Sequence, residues 1–108
     1  MKASPTARTM AMLRAEGWHV GKVEQTIPTT FIKRDLFGFL DLVAIKPGEP
    51  VLGIQVTSGS NVSARIQKIQ ELEASAVWRE VARLEVHGWR KVGKRGERKS
   101  WEVRVVRL

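Results

Sequence analysis

The sequence predicts a single α/β (α+β) domain, a mixed β-sheet flanked by helices, in the order αβββα(α)ββ. Three observations carry that expectation. Helical spacing opens the chain and returns in its middle, with strand-like alternation between and after these segments. Two apolar runs, 36–45 and 51–57, are separated only by Lys46-Pro47-Gly48-Glu49-Pro50, a short turn that favours an antiparallel hairpin. No repeat, linker or low-complexity tract divides the 108 residues, a length at which one domain with a modest core is expected.

Each element has its own signal. Ser4 is placed as an N-cap and Pro5 as the first helical residue. Ala7, Met10 and Leu13 keep helical spacing, and Gly17 stops a helix expected over about 5–16. Alternation through Trp18-His19-Val20 and Lys22-Val23-Glu24 predicts a strand near 18–26, and Pro28-Thr29-Thr30 through Arg34 reads as a loop. The runs 36–45 and 51–57 are the next strands. Ser58-Gly59-Ser60-Asn61 opens a helix over about 62–73, with Ile66, Ile69 and Leu72 on one face. A further helix near 75–83, capped by Ser75, carries Ala76, Val77 and Val81, with Leu84 just beyond it. Residues 85–92 form a strand, 93–99 a basic glycine-bearing turn, and 101–108 a closing strand in which Trp101, Val103 and Val105 alternate with Glu102 and Arg104.

Composition narrows the function classes. Hydrophobic residues make up 43% and charged residues 28%, the balance of a folded soluble domain. The absence of cysteine excludes a disulfide framework, a thiolate zinc site and a cysteine nucleophile. No apolar stretch approaches the roughly 18 residues of a membrane span, and Met1-Lys2-Ala3-Ser4-Pro5 lacks the apolar core of a signal peptide. A cytoplasmic protein without membrane association is therefore expected.

Net charge is +8, and residues 86–108 hold eight bases against two acids, so +6 of it lies there. Such a block is an electrostatic footprint for nucleic-acid phosphates, the bland alternative being a solubilising tail. Arg90, Lys91, Lys94, Arg95, Arg98 and Lys99 are its DNA-binding candidates. Gly93 to Lys99 is not a Walker loop, because it lacks the lysine–serine or lysine–threonine ending and a following helix. Trp89 and Trp101 flank this turn; packing is expected of both, with stacking on bases the alternative. His19 and His87 are not spaced as a metal pair and read as surface or satisfied core residues.

The chemistry concentrates in the two apolar runs. Asp41 interrupts Phe37-Gly38-Phe39-Leu40-Asp41-Leu42-Val43-Ala44-Ile45, where an unpaired carboxylate is costly to bury. Gln55 and Thr57 fall on one face of Val51-Leu52-Gly53-Ile54-Gln55-Val56-Thr57. A hairpin brings these three to one end of the sheet. A buried aspartate can also be structural, bonded to backbone N–H groups. Gln55 in the neighbouring strand tilts the reading towards a site.

The element order, with Phe37-Gly38-Phe39-Leu40-Asp41 followed by Gln55-Val56-Thr57, resembles the PD-(D/E)XK nuclease superfamily over about residues 6–92. In size the chain is similar to its small Holliday-junction-resolvase-like and VRR-NUC members. The resemblance implies a restriction-endonuclease-like sheet and a metal-dependent DNA endonuclease, resolvase-like on branched DNA and working as a homodimer, from a bacterial, archaeal or phage-infected cell. It implies Mg2+ or Mn2+ as cofactor, with Asp41 matching the family's aspartate. Gln55 and Thr57 stand where the family has an acid and a lysine, which leaves a catalytically inactive DNA-binding protein on the same fold as the alternative.

Phosphodiester hydrolysis of this type uses a divalent ion held by hard oxygen ligands. Asp41 and Gln55 are the expected metal ligands, with Glu24 and Asp35 ranked level as a third; Glu16 reads as an ordinary surface charge. Thr57 carries no positive charge. Lys68, three residues from Arg65 on the next helix, is the candidate to supply it, and Arg65 a candidate phosphate contact.

Overall fold

The computed structural model describes residues 3–30 and 32–108. Helix α1 (Pro5–Ala15) is followed by strands β1 (His19–Lys22), β2 (Gln25–Ile27), β3 (Ile32–Arg34), β4 (Leu42–Ile45) and β5 (Leu52–Ser58). A short 3-10 turn leads into helices α2 (Val62–Gln70) and α3 (Glu73–Val81), and strands β6 (Arg83–Val92) and β7 (Ser100–Arg107) close the chain. Five strands form a mixed sheet in the order β1-β4-β5-β6-β7, while β2 and β3 pair separately. The predicted order αβββα(α)ββ is the order of the large sheet and its helices, with the small β2–β3 hairpin inserted between its first two strands.

β4 and β5 are antiparallel, with Leu42 opposite Ile54, as their short link requires. β5 and β6 are parallel, and α2 and α3 form the crossover between them. α1 covers one face, where Leu13 packs with Leu42, Ala44, Leu52 and Ile54. The other face buries Phe39, Leu40, Val62, Ile69, Leu84 and Val86 beneath α2 and α3. Gly53 and Gly88 allow this close approach: a Cβ at Gly53 would collide with Leu40 and Trp78, and one at Gly88 with Val62. Among the described residues, no helix is long and apolar enough to cross a membrane.

The helix ends follow the sequence signals. Ser4 caps α1 by accepting from the Ala7 amide at 3.1 Å, and Gly17 takes φ +96° beyond its end. Five expectations need correction. The run 36–45 is a strand only from Leu42; Phe37 (φ 57°) and Gly38 (φ 86°) turn the chain back, so that Leu36 and Leu40 bridge each other. Phe39 and Leu40 thus enter the core from a loop. The strand expected near 18–26 is broken into β1 and β2, and the loop read through Arg34 contains β3. Helix α2 stops at Gln70 rather than near 73. Ser75 lies inside α3, fully buried, and its hydroxyl donates to the Ile69 carbonyl at 2.7 Å instead of capping the helix.

Candidate metal centre

Asp41 sits where the Leu36–Leu40 loop hands the chain to β4. Its backbone is pinned on both sides: its N–H donates to the Ile54 carbonyl at 3.0 Å, and its carbonyl accepts from the Val23 N–H at 3.0 Å. Its side chain turns to β5, where Oδ2 accepts from Gln55 Nε2 at 2.6 Å and from the Val56 N–H at 2.8 Å. The cross-strand pairing inferred for Asp41 and Gln55 is therefore present, and both residues are buried. It is the amide nitrogen of Gln55, not its carbonyl, that meets Asp41. Gln55 in this arrangement fixes the orientation of the carboxylate.

The inserted hairpin supplies the remaining acids. β2 and β3 pair with Gln25 opposite Arg34, so Glu24 and Asp35 are the residues at the foot of the two strands. Val23, hydrogen-bonded to Asp41, holds that foot against the start of β4. One carboxylate oxygen from each of Glu24, Asp35 and Asp41 lies within 4.8 Å of the others. Glu24 and Asp35, ranked level on sequence, thus join Asp41 together.

Electrostatically the cluster is frustrated. Burial, a hydrogen bond shared with Asp35, and the negative charges of Asp35 and Glu24 push the Asp41 carboxyl up to about 7, against the opposing pull of the Val56 N–H. The Lys33 ammonium approaches Glu24 at 3.7 Å but is largely exposed, so it offsets little of the crowding. Three carboxylates crowded in this way are an all-oxygen donor set of the kind that hard divalent cations take. The residues present fit such an ion.

The acids open onto a cleft of about 520 Å³. Arg65 and Lys68, one turn apart on α2, line it together with Gln55. The positive groups proposed for α2 therefore face the same space as the acids. Arg34, Lys33 and Thr6 also line it and were missed by sequence reasoning. The available signal was Ile27 and Ile32 on either side of Pro28-Thr29-Thr30, a turn between two short runs.

Thr57 is buried on β5 opposite Gly88 of β6 and does not line the cleft. Glu16 belongs to the other end of α1 from Thr6, where its carbonyl accepts from Lys46 Nζ at 2.7 Å. Arg90 and Lys91 extend from β6, and Lys94, Arg95, Arg98 and Lys99 are exposed on the turn before β7; none of the six lines the acidic cleft. His87 is a satisfied core histidine, 1% exposed, and His19 is exposed.

Comparison with protein-family models, with curated proteins and with solved structures finds no match.

Proposed function

We propose that this protein is a DNA endonuclease that hydrolyses phosphodiesters with Mg2+ or Mn2+. The observation that carries the reading is the meeting of Glu24, Asp35 and Asp41 in one cleft with Arg65 and Lys68. Acids alone mark a cation site. Acids and bases facing one open space fit a cation and a phosphate side by side.

In this reading Asp41, Asp35 and Glu24 hold the ion, which when bound polarises a phosphate oxygen and lowers the pKa of an attacking water. Gln55 and the Val56 N–H occupy Asp41 Oδ2, which leaves Oδ1 for coordination. Lys68 and Arg65 bind the phosphate and offset charge developing on it, the work that a neutral Thr57 does not do. The exposed bases of the β6–β7 hairpin contact the DNA backbone further away.

One observation favours a second reading, a DNA-binding protein without catalysis on the same fold. β5 carries no lysine, and its Gln55 presents a nitrogen donor to Asp41. The two readings separate on labelled single-stranded, linear duplex and four-way-junction DNA, incubated with Mg2+ or Mn2+ beside Asp41→Ala. Metal-dependent cleavage that disappears in the variant supports the nuclease. Binding without cleavage, unchanged in the variant, overturns it in favour of the silent module.

A further inference from the structure

A second hollow opens where β5 ends. It measures about 480 Å³, with the indoles of Trp89 and Trp101, the bases Arg90 and Lys91, and the Ser58–Ser60 turn around it. Trp89 is fixed in place, because its indole N–H donates to Thr9 Oγ1 at 2.8 Å. Trp101 carries two cations on its ring: the Arg8 guanidinium carbon is 4.2 Å from the centroid and the Lys91 ammonium 5.4 Å.

Those cations are unbalanced. Arg90 has Glu102 at 3.8 Å, but among the described residues neither Arg8 nor Lys91 has a carboxylate partner. Arg8 Nε is also buried without a hydrogen-bond partner among those residues. The ring attracts each cation, but it does not remove their mutual repulsion or satisfy the orphan donor. An anion in the hollow would offset their charge. An apolar wall beside unpaired cations suits a nucleotide, with its base on the indole and its phosphate on Arg8 and Lys91.

Duplex DNA cannot use this arrangement, because its bases already stack on both faces. Away from duplex ends, only an unpaired nucleotide offers a free π-face. The hollow and the acidic cleft both draw on β5. Gln55 and Val56 of β5 line the acidic cleft while Ser58 begins the wall of the hollow, and α1 places Thr6 at the cleft and Arg8 over the ring of Trp101, which borders the hollow. At about 3.3 Å per strand residue, Gln55 and Ser58 are about 10 Å apart along β5.

We propose that Trp101, Arg8 and Lys91 form a subsite for an unpaired nucleotide, so that the DNA served by the acidic cleft is single-stranded where it crosses this face. The proposal rests on the nuclease reading only for the neighbouring role of the acids, and its test is free of metal. Fluorescence anisotropy in EDTA compares a labelled oligothymidine with a blunt duplex of equal length. The single strand is expected to bind more tightly. Trp101→Ala is expected to weaken it about tenfold and Trp101→Phe to restore most of that loss. Lys91→Gln is expected to lower the salt slope of single-strand binding by about one.

Equal affinity for both DNAs overturns the subsite, as does a folded Trp101→Ala that binds like the native chain. Should Trp101→Ala not fold, Arg8→Gln and Lys91→Gln decide: weaker single-strand binding supports the subsite, and unchanged binding by both overturns it. Loss of cleavage with the single-strand preference intact would refute the nuclease and leave this proposal standing. Asp41-dependent cleavage without that preference would do the reverse.

Discussion

Two polar clusters interrupt the same apolar sheet, and their electrostatics are opposite. At the start of β4, Asp41 faces Asp35 and Glu24, and its carboxyl is pushed up to about 7. On β6, beneath α1, Glu85 faces His87, whose Nε2 lies 2.9 Å from Oε1, while the Arg107 guanidinium approaches Oε2 at 3.5 Å. The hydrogen bond with His87, then the His87 and Arg107 charges, hold the Glu85 carboxyl below its ordinary value despite burial. The chain continues from His87 Nδ1 to Thr9 Oγ1 at 3.3 Å, and Thr9 in turn accepts from Trp89. Both clusters place a carboxylate among apolar neighbours. One is complete as it stands; the other has acceptors in excess and opens to solvent. A closed, complementary network ties a helix to a sheet, whereas a crowded and open one fits a ligand of opposite charge.

The contrast breaks most sharply at His87. It is 1% exposed and links Glu85 to Thr9, so His87→Ala removes a partner from each and leaves a cavity under α1. A loss of about 3 kcal/mol in urea unfolding is expected, the size associated with breaking a buried polar network. The stabilisation that Mn2+ gives the remaining fold should be unchanged. A loss below about 1 kcal/mol would mean that the closed network does not bear the stability assigned to it here.

Asp41→Asn should act in the opposite direction. Asparagine keeps an oxygen for Gln55 and the Val56 N–H and offers Asp35 a donor, which imitates the protonated acid. Because the folded carboxyl titrates near 7 and the ordinary value is 3.8, the native fold binds the extra proton between those values. Native stability from this group is therefore fully present at the acidic end and falls as pH rises towards 7. The metal-free variant lacks that fall and should be more stable than the native chain by about 2 kcal/mol at pH 8, with little difference at pH 4. Mn2+ should reverse the order at pH 8, raising the native melting temperature by several degrees and the variant's far less. A variant less stable than the native chain at pH 8 without metal would show that the acids are not crowded.

How much of this was legible follows from where each signal resides. Asp41 and Gln55 could be paired because side-chain alternation and the Lys46–Pro50 turn both act locally. The cap at Ser4 and the stop at Gly17 were legible for the same reason. The stretch before Leu42 misled because a loop that plugs a core has a strand's composition; only the left-handed backbone at Phe37 and Gly38 distinguishes it. The β2–β3 hairpin was hidden because its strands are mostly exposed and carry almost no burial alternation. Glu24 and Asp35 meet at its foot, so their joint role depended on an element whose pattern is nearly silent. The Glu85–His87–Thr9 network was hidden because it joins residues from opposite ends of the chain.

The smallest effect sharpens the comparison from the Glu85 side. Glu85→Gln retains an acceptor for His87 but loses the charge that His87 and Arg107 stabilise. The folded carboxyl lies below its ordinary value, so its contribution is present above the unfolded pKa and vanishes as pH falls through the folded one. The variant should be less stable than the native chain by about 1 kcal/mol at neutral pH, Arg107 being too exposed to add much. That gap should close on acidification below the ordinary glutamate range, whereas the Asp41→Asn gap closes on the way down from 7. Urea unfolding of both variants across pH 3–8 measures the two together. Gaps that close in the same window would dissolve the distinction between the satisfied network and the crowded one.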